Sequence, residues 1–171
     1  MRRVLVIGCS GSGKSTFARR LAALLDLPVT HLDRHYWRPG WVEAPDDEFR
    51  AAQQAVVVGE RWVIDGNYSG SMDIRLPRAD TIVFLDLPRW RCLLRIARRT
   101  LRGWGRDGQA AGCPEHLDPA FWRWVWRWHR GSRPHLLARL AEQGSHTRQV
   151  VLSSPREVTG FLNAVSVGGR E

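Results

Sequence analysis

Lysine is nearly missing from this chain. The 171 residues carry 26 basic side chains, yet Lys14 is the single lysine and every other one is arginine. No Asn-Lys-x-Asp occurs, so base reading of the GTPase kind is excluded. Cysteine is scarce too. Cys9, Cys92 and Cys113 show no CxxC spacing, and Cys113 with His116 makes a pair of candidate ligands, not a zinc site. They read as free thiols in a reducing compartment. No apolar run approaches the ~20 residues that cross a bilayer, so no membrane partner is expected. Arg2-Arg3 ahead of Val6-Ile7-Gly8-Cys9 imitates a lipoprotein signal. Its apolar part is about five residues against the ~7–15 of a signal peptide, and its glycine belongs to the motif that follows. The expected location is the cytoplasm. Internal repeats, long linkers and nucleic-acid-binding signatures are also lacking. A single domain over 1–171 follows from the length.

What is there is charge and one motif. The net charge of +9 implies an anionic partner, a role that nucleotide phosphates or nucleic acid would fill. Gly8-Cys9-Ser10-Gly11-Ser12-Gly13-Lys14-Ser15, followed by Thr16, fits G-x-x-x-x-G-K-[ST], the phosphate-cradling P-loop. Its glycines allow backbone conformations in which successive N–H groups turn inward around an anion. Lys14 can reach the β- and γ-phosphates, and the Ser15 hydroxyl can ligate Mg²⁺. A composition of arginine nearly everywhere keeps lysine where a compact point charge on a flexible stem is needed. ATP and Mg²⁺ are therefore expected, with Gly8, Ser10, Gly11, Ser12, Gly13, Lys14, Ser15 and Thr16 around the phosphates.

The surroundings of the motif agree. Arg3-Val4-Leu5-Val6-Ile7 reads as a buried parallel strand. Lys14 to Leu25 reads as a helix aiming its N-terminal dipole at the phosphates. Further strands are expected at 28–32, ending at Asp33; at 61–64, ending at Asp65; at 81–85, ending at Asp86; and at 149–152. Helices are expected at about 46–58, 89–102, 121–129, 134–143 and 155–165, with a loose tail from Ser166. Strands alternating with helices imply an α/β protein with a parallel sheet. The 34–43 stretch reads as an aromatic- and proline-bearing loop. In 89–102, Trp90, Leu94, Ala97 and Leu101 make an apolar stripe beside one of Arg91, Arg95, Arg98 and Arg102. Residues 103–118 lack periodicity and read as a mobile flap, part of a lid over 103–130.

With the P-loop, Asp65-Gly66, Asp86-Leu87-Pro88 and the arginine-rich helix in place, the chain resembles the adenylate-kinase-like P-loop kinases. His31-Leu32-Asp33, Tyr36-Trp37-Arg38-Pro39-Gly40-Trp41, Ile64-Asp65-Gly66-Asn67-Tyr68-Ser69, Gly112-Cys113-Pro114-Glu115 and Ser132-Arg133-Pro134 make it similar to the group known as DNA topology modulation proteins. The resemblance covers nearly the whole chain. It implies a three-layer P-loop NTPase fold with a five-stranded parallel sheet in the order 2-3-1-4-5 and an arginine-rich lid. It also implies transfer of the γ-phosphoryl of ATP to a small acceptor, a class that includes nucleotides. The alternative it leaves open is an ATPase or nucleotide-binding module acting on nucleic acid. A monomer or homodimer is expected.

Roles follow for single residues. Asp65, at the end of the strand beside the P-loop strand, suits a Mg²⁺-holding carboxylate with Ser15. Asp33, facing the same carboxyl-end crevice, suits the group that orients the acceptor hydroxyl or takes its proton. Arg38 and Arg75 flank the acceptor side, where Asn67 and Tyr68 offer neutral polar contacts. Arg95 and Arg99 follow Asp86-x-Pro88 at the spacing seen before the adenylate kinase lid, which implies contacts to the ATP base and phosphates. Arg133, beyond the flap, would close from the other side. The flap is short and has no cysteine pairs, and the Pro-Arg that follows Asp-Gly in adenylate kinases is missing, which speaks against AMP as the acceptor.

Overall fold

A computed structural model describes residues 1–108 and 110–168. The chain opens with β1 (Arg3–Gly8) and α1 (Lys14–Leu25), then β2 (Val29–His31), a one-turn helix α2 (Asp33–Tyr36) and a small hairpin, β3 (Trp37–Arg38) and β4 (Val42–Glu43). Next come α3 (Asp46–Val57), β5 (Trp62–Asp65), the short α4 (Met72–Arg75) and β6 (Thr81–Leu85). The arginine-rich α5 (Arg89–Gly103), the tryptophan-rich α6 (Pro119–Arg127), α7 (Ser132–Gln143), β7 (Arg148–Leu152) and α8 (Pro155–Gly168) complete it.

The main sheet runs β2-β5-β1-β6-β7, and all its pairings are parallel. Numbered by its own strands alone, the order is 2-3-1-4-5, as expected. β1 sits in the middle, with Val6 in register with Asp65 on one side and Val83 on the other. Alternate residues of β1 serve different cores. Leu5 and Ile7 join Ile64 and Phe84 beneath α3, α5 and α7, while Val4 and Val6 join Val63 and Val83 against α1 and α8. Burial on both faces explains why β1, β5 and β6 read as unbroken apolar runs.

Several boundaries differ from the sequence reading. Strand β2 stops at His31, and Asp33 begins a helical turn instead of ending the strand. The 34–43 stretch is not a plain loop, because Trp37–Arg38 pairs antiparallel with Val42–Glu43. Helix α8 continues through Gly168, past the expected start of the tail; residues 169–171 lie outside the described residues. The largest difference is the orientation of α5. Its buried line is Cys92, Ile96 and Thr100, whereas Trp90, Leu94 and Leu101 are exposed. Helix α5 lies directly on the P-loop: a Cβ on Gly11 would run into the Cys92 carbonyl and come within 2.9 Å of Ile96. The approach is possible because Gly11 carries no side chain. A helical wheel cannot report which neighbour is close.

The 103–118 flap is a folded loop over its described part; Gln109 falls outside the described residues. The Glu115 N–H donates to the Arg106 carbonyl at 2.9 Å, and the Gly108 N–H donates to the Cys113 carbonyl at 3.0 Å. The loop rests on the β3–β4 hairpin. The Gly40 N–H donates to the Gly112 carbonyl at 2.8 Å. The Trp41 Nε1–H donates to the Pro114 carbonyl at 3.0 Å. The Cys113 thiol donates to the Arg38 carbonyl at 3.1 Å.

Candidate active site

Strand β1 delivers the chain to the P-loop at Gly8, whose N–H donates to Asn67 Oδ1 at 2.9 Å and whose carbonyl accepts from Asn67 Nδ2 at 2.7 Å. Gly11 holds φ 77, a left-handed conformation that L side chains rarely adopt. The Ser12 N–H closes the turn on the Cys9 carbonyl at 3.1 Å. Lys14 Nζ donates to that same carbonyl at 3.1 Å, which folds the ammonium back over the loop. Gly13 caps α1 with its backbone alone, and no side chain satisfies the first N–H groups. Ser12 Oγ is buried and without a hydrogen-bond partner among the described residues. A glycine-rich turn, a helix N-terminus and one lysine together suit phosphate. Ser15 is half-buried at the start of α1, and Thr16 beside it is exposed.

Asp65, at the end of β5, is 4% exposed, and its Oδ2 meets His31 Nδ1 at 2.8 Å. The Ser15 hydroxyl and the Asp65 carboxylate are hard oxygen donors, the type Mg²⁺ takes. The donor set therefore fits that ion.

Asp33 faces the cleft from the first turn of α2. The Tyr68 hydroxyl donates to Asp33 Oδ1 at 2.6 Å. Burial, and then the charge of Asp33, push the Tyr68 hydroxyl well above the usual phenol range, so it stays a donor. Tyr68 itself sits at φ 34, an unusual backbone state for a bulky side chain. Arg75 holds it there. Its guanidinium, 0% exposed, donates to the carbonyls of Gly66 at 2.9 Å, Asn67 at 2.8 Å and Tyr68 at 3.0 Å.

The placement of Arg75 and Arg38 differs from the expectation, and Asn67 and Arg133 have partners that the sequence did not show. Arg75 is a strut under the 66–68 loop and does not reach the cleft. The side chain of Asn67 clamps Gly8, and the residue also borders the cleft. Arg38 pairs with Glu48 on α3, away from the cleft. Arg133 makes a two-pronged bond to Asp86, its Nη2 2.6 Å from Oδ2 and its Nε 2.9 Å from Oδ1. That pairing raises the Arg133 guanidinium above its ordinary value and ties it to Asp86, just past β6. All four needs are tertiary: each partner lies in another element, invisible to spacing.

The helix α5 arginines do reach the site. Arg95 Nη1 donates to the Ser12 carbonyl at 2.7 Å, strapping the P-loop to α5. Arg99 Nε lies 2.8 Å from Glu115 Oε1, so the flap brings a carboxylate, 4% exposed, onto this arginine. Glu115 was quoted in the resemblance but given no role; its pairing with Arg99 could not be read from a flap without periodicity.

The P-loop, Asp33 and Arg99 border one cleft of about 780 Å³. Its volume lies in the range of ligand sites. Aromatic side chains make up much of the wall. Tyr36, Trp37 and Trp41 come from α2 and the hairpin; Phe121, Trp124 and Trp128 come from α6 and its end. Phe121 and Trp124 are stacked, with ring planes 20° apart. The tryptophans of this segment divide between two sides, with Trp128 buried and Trp126 exposed. Burial, and then a hydrogen bond to Glu43, raise the Tyr36 hydroxyl above its ordinary value.

Neither a protein-family model nor a curated protein matches the chain. Solved structures do. The chain is similar to a shikimate kinase from Acinetobacter baumannii in complex with shikimate, with a TM-score of 0.61 and 14% identity, over 96% of this chain and 90% of that one. It is similar to a sugar kinase from Janibacter sp. HTCC2649, with a TM-score of 0.55 and 17% identity, over 99% and 97%. A gluconokinase from Sinorhizobium meliloti 1021 follows, with a TM-score of 0.52 and 17% identity, over 99% and 91%. These likenesses extend over nearly all of both chains. They define the architecture: this is the P-loop kinase fold of the adenylate-kinase-like kind.

Proposed function

We propose that the protein is an ATP-dependent phosphotransferase acting on a small hydroxyl compound. One observation carries the reading: the phosphate cradle with the only lysine and a carboxylate oriented by a tyrosine border the same cleft. The P-loop and Lys14 would hold the β- and γ-phosphates of ATP. The Ser15 hydroxyl and the Asp65 carboxylate would hold Mg²⁺, which supplies charge neutralisation on the phosphate oxygens. The acceptor hydroxyl attacks the γ-phosphorus, a new O–P bond forms, and the bond to the β–γ bridging oxygen breaks to release ADP. The hydroxyl proton passes to Asp33, which Tyr68 keeps in orientation. Arg99 would leave Glu115 for the phosphates as ATP arrives.

The resemblance to the DNA topology modulation group supports the nucleotide-binding half of this reading and says little about the acceptor. The alternative of a nucleic-acid module rests on net charge. Two of the exposed tryptophans carry an arginine on one ring face, Arg89 at 4.2 Å from the Trp126 ring and Arg91 at 4.5 Å from the Trp90 ring, which leaves less of those faces for base stacking. ADP release measured against a panel of small acceptors tests the proposal. Lys14→Ala should abolish turnover while melting like the parent, since the side chain serves phosphate and not the core. Parental turnover in Lys14→Ala would overturn the assignment.

A further inference from the structure

The acceptor end of the cleft has a charge that the rest of the protein does not share. The chain carries a net +9. Yet among the described residues lining the cleft, the only basic side chains besides His116 are Lys14 and Arg99. Lys14 belongs to the phosphates, and Arg99 is engaged by Glu115 at 2.8 Å. The arginines that the sequence offered to an acceptor are bound elsewhere, Arg38 by Glu48 and Arg75 by the carbonyls of its own loop, and Arg133 from the lid side is paired with Asp86. Away from the P-loop the cleft wall is acidic and aromatic, with His116 packed against Trp41 at 5.9 Å between ring centroids as its one imidazole. Asp33 and Glu43 supply carboxylates, and Trp37 and Trp41 on the hairpin, with Phe121 and Trp124 on α6, supply ring surface.

Such a wall discriminates by charge. A carboxylate or phosphate on the acceptor would be desolvated beside Asp33 and Glu43 with no arginine fork to receive it, and like charges brought together cost several kcal/mol. Ring faces carry negative quadrupole density, which repels anions and favours planar rings and cations. Hydroxyl groups find acceptors in both carboxylates. Building on the phosphotransferase reading, we infer that the acceptor is a hydroxylated ring compound without an anionic group, of the nucleoside or amino-sugar kind. Sugar acids, shikimate-like acids and nucleoside monophosphates are excluded by the same wall. The β3–β4 hairpin is the specificity element, because it contributes Trp37, Trp41 and Glu43 and is fastened to the flap through Gly112 and Pro114.

Uncharged or cationic compounds set against anionic relatives test this. The pairs are adenosine with AMP, thymidine with its 5′-monophosphate, and glucosamine and glucose with gluconate. Each compound is titrated against the full chain with Mg²⁺ and a non-hydrolysable ATP analogue, read by tryptophan fluorescence, and then assayed for ADP release with ATP. The uncharged or cationic member of at least one pair should bind on the order of 100-fold more tightly than its anionic counterpart. Glu43→Lys should narrow that gap roughly 10-fold or more while leaving analogue binding unchanged. Equal or tighter binding of the anionic members overturns the inference, and so does binding by none of the compounds. ADP release with AMP or gluconate would overturn it while leaving the phosphotransferase standing. Selective binding of the uncharged members without any ADP release supports the charge rule and removes the phosphotransferase instead.

Discussion

Replacing Arg75 with methionine separates a structural arginine from a substrate-binding one. The guanidinium is 0% exposed and donates to the carbonyls of Gly66, Asn67 and Tyr68 at 2.8–3.0 Å. Hydrogen bonds from a charged donor contribute about 1.5–3 kcal/mol each, and acceptors left buried and unpaired cost about 1–3 kcal/mol apiece. Against this stands the penalty of burying the charge itself, which methionine removes. Burial pushes the Arg75 guanidinium down to about 10, so it is still charged at neutral pH and that penalty is real. Loss and relief together leave a net destabilisation of about 3–5 kcal/mol for Arg75→Met. At about 2–4 °C per kcal/mol for a chain of this size, Tm should fall by about 6–20 °C. The loop that loosens carries Asn67, which clamps Gly8, and Tyr68, which orients Asp33. Nucleotide affinity and transfer rate should therefore fall together. Calorimetry or thermal melts followed by circular dichroism, with ATP-analogue titration, give both readings. An Arg75→Met variant that melts within about 2 °C of the parent and loses only acceptor affinity would refute the strut and restore the substrate role.

Three other outcomes are expected. Gly11 and Gly40 have nearly the same φ, 77 and 78, but a Cβ on Gly40 meets nothing within 4 Å while one on Gly11 meets Cys92; Gly40→Ala should cost about 1–2 kcal/mol in urea unfolding, and Gly11→Ala should cost more and abolish analogue binding. Equal costs for the two would mean that strain alone matters. Asp33→Asn should lower kcat by about 10²–10⁴-fold and Tyr68→Phe by about 10-fold, with ATP-analogue Kd changed less than about two-fold in both; a Kd change as large as the kcat change would move these residues to the nucleotide side. Burial alone would raise the Asp80 carboxyl, but bonds from the Thr81 hydroxyl and the N–H groups of Arg3 and Arg2 outweigh it and hold the carboxyl below the usual range. A depressed folded-state value means stability present above the ordinary carboxylate pKa of about 3.9 and lost as pH falls through the folded value, so Asp80→Asn should cost about 1–2 kcal/mol at pH 7 and lose less than the parent on acidification. Urea midpoints at neutral and acid pH check this, and an equal acid loss in both proteins would contradict it.

The sequence by itself determined the phosphate site and the architecture around it. Gly8 to Thr16 is contiguous, so spacing alone assembles it, and the apolar runs of β1, β5 and β6 announce a sheet covered on both faces. Asp65 ends β5 as strand spacing implied, whereas Asp33 lies two residues past the end of β2, in the first turn of α2, and borders the cleft from there. Tertiary structure decided what each arginine does. Arg38, Arg75, Arg95, Arg99 and Arg133 are chemically identical in sequence, but Glu48, three loop carbonyls, the Ser12 carbonyl, Glu115 and Asp86 give them different work. It also decided the buried face of α5, because contact with Gly11 outweighs the wheel's apolar stripe. The acidic and aromatic character of the cleft wall emerged only on folding, when the 37–43 hairpin, the flap and α6 met. Partners far apart in the chain carry no periodic signal, and the sign of charge at a site is a property of the enclosed wall, not of the composition.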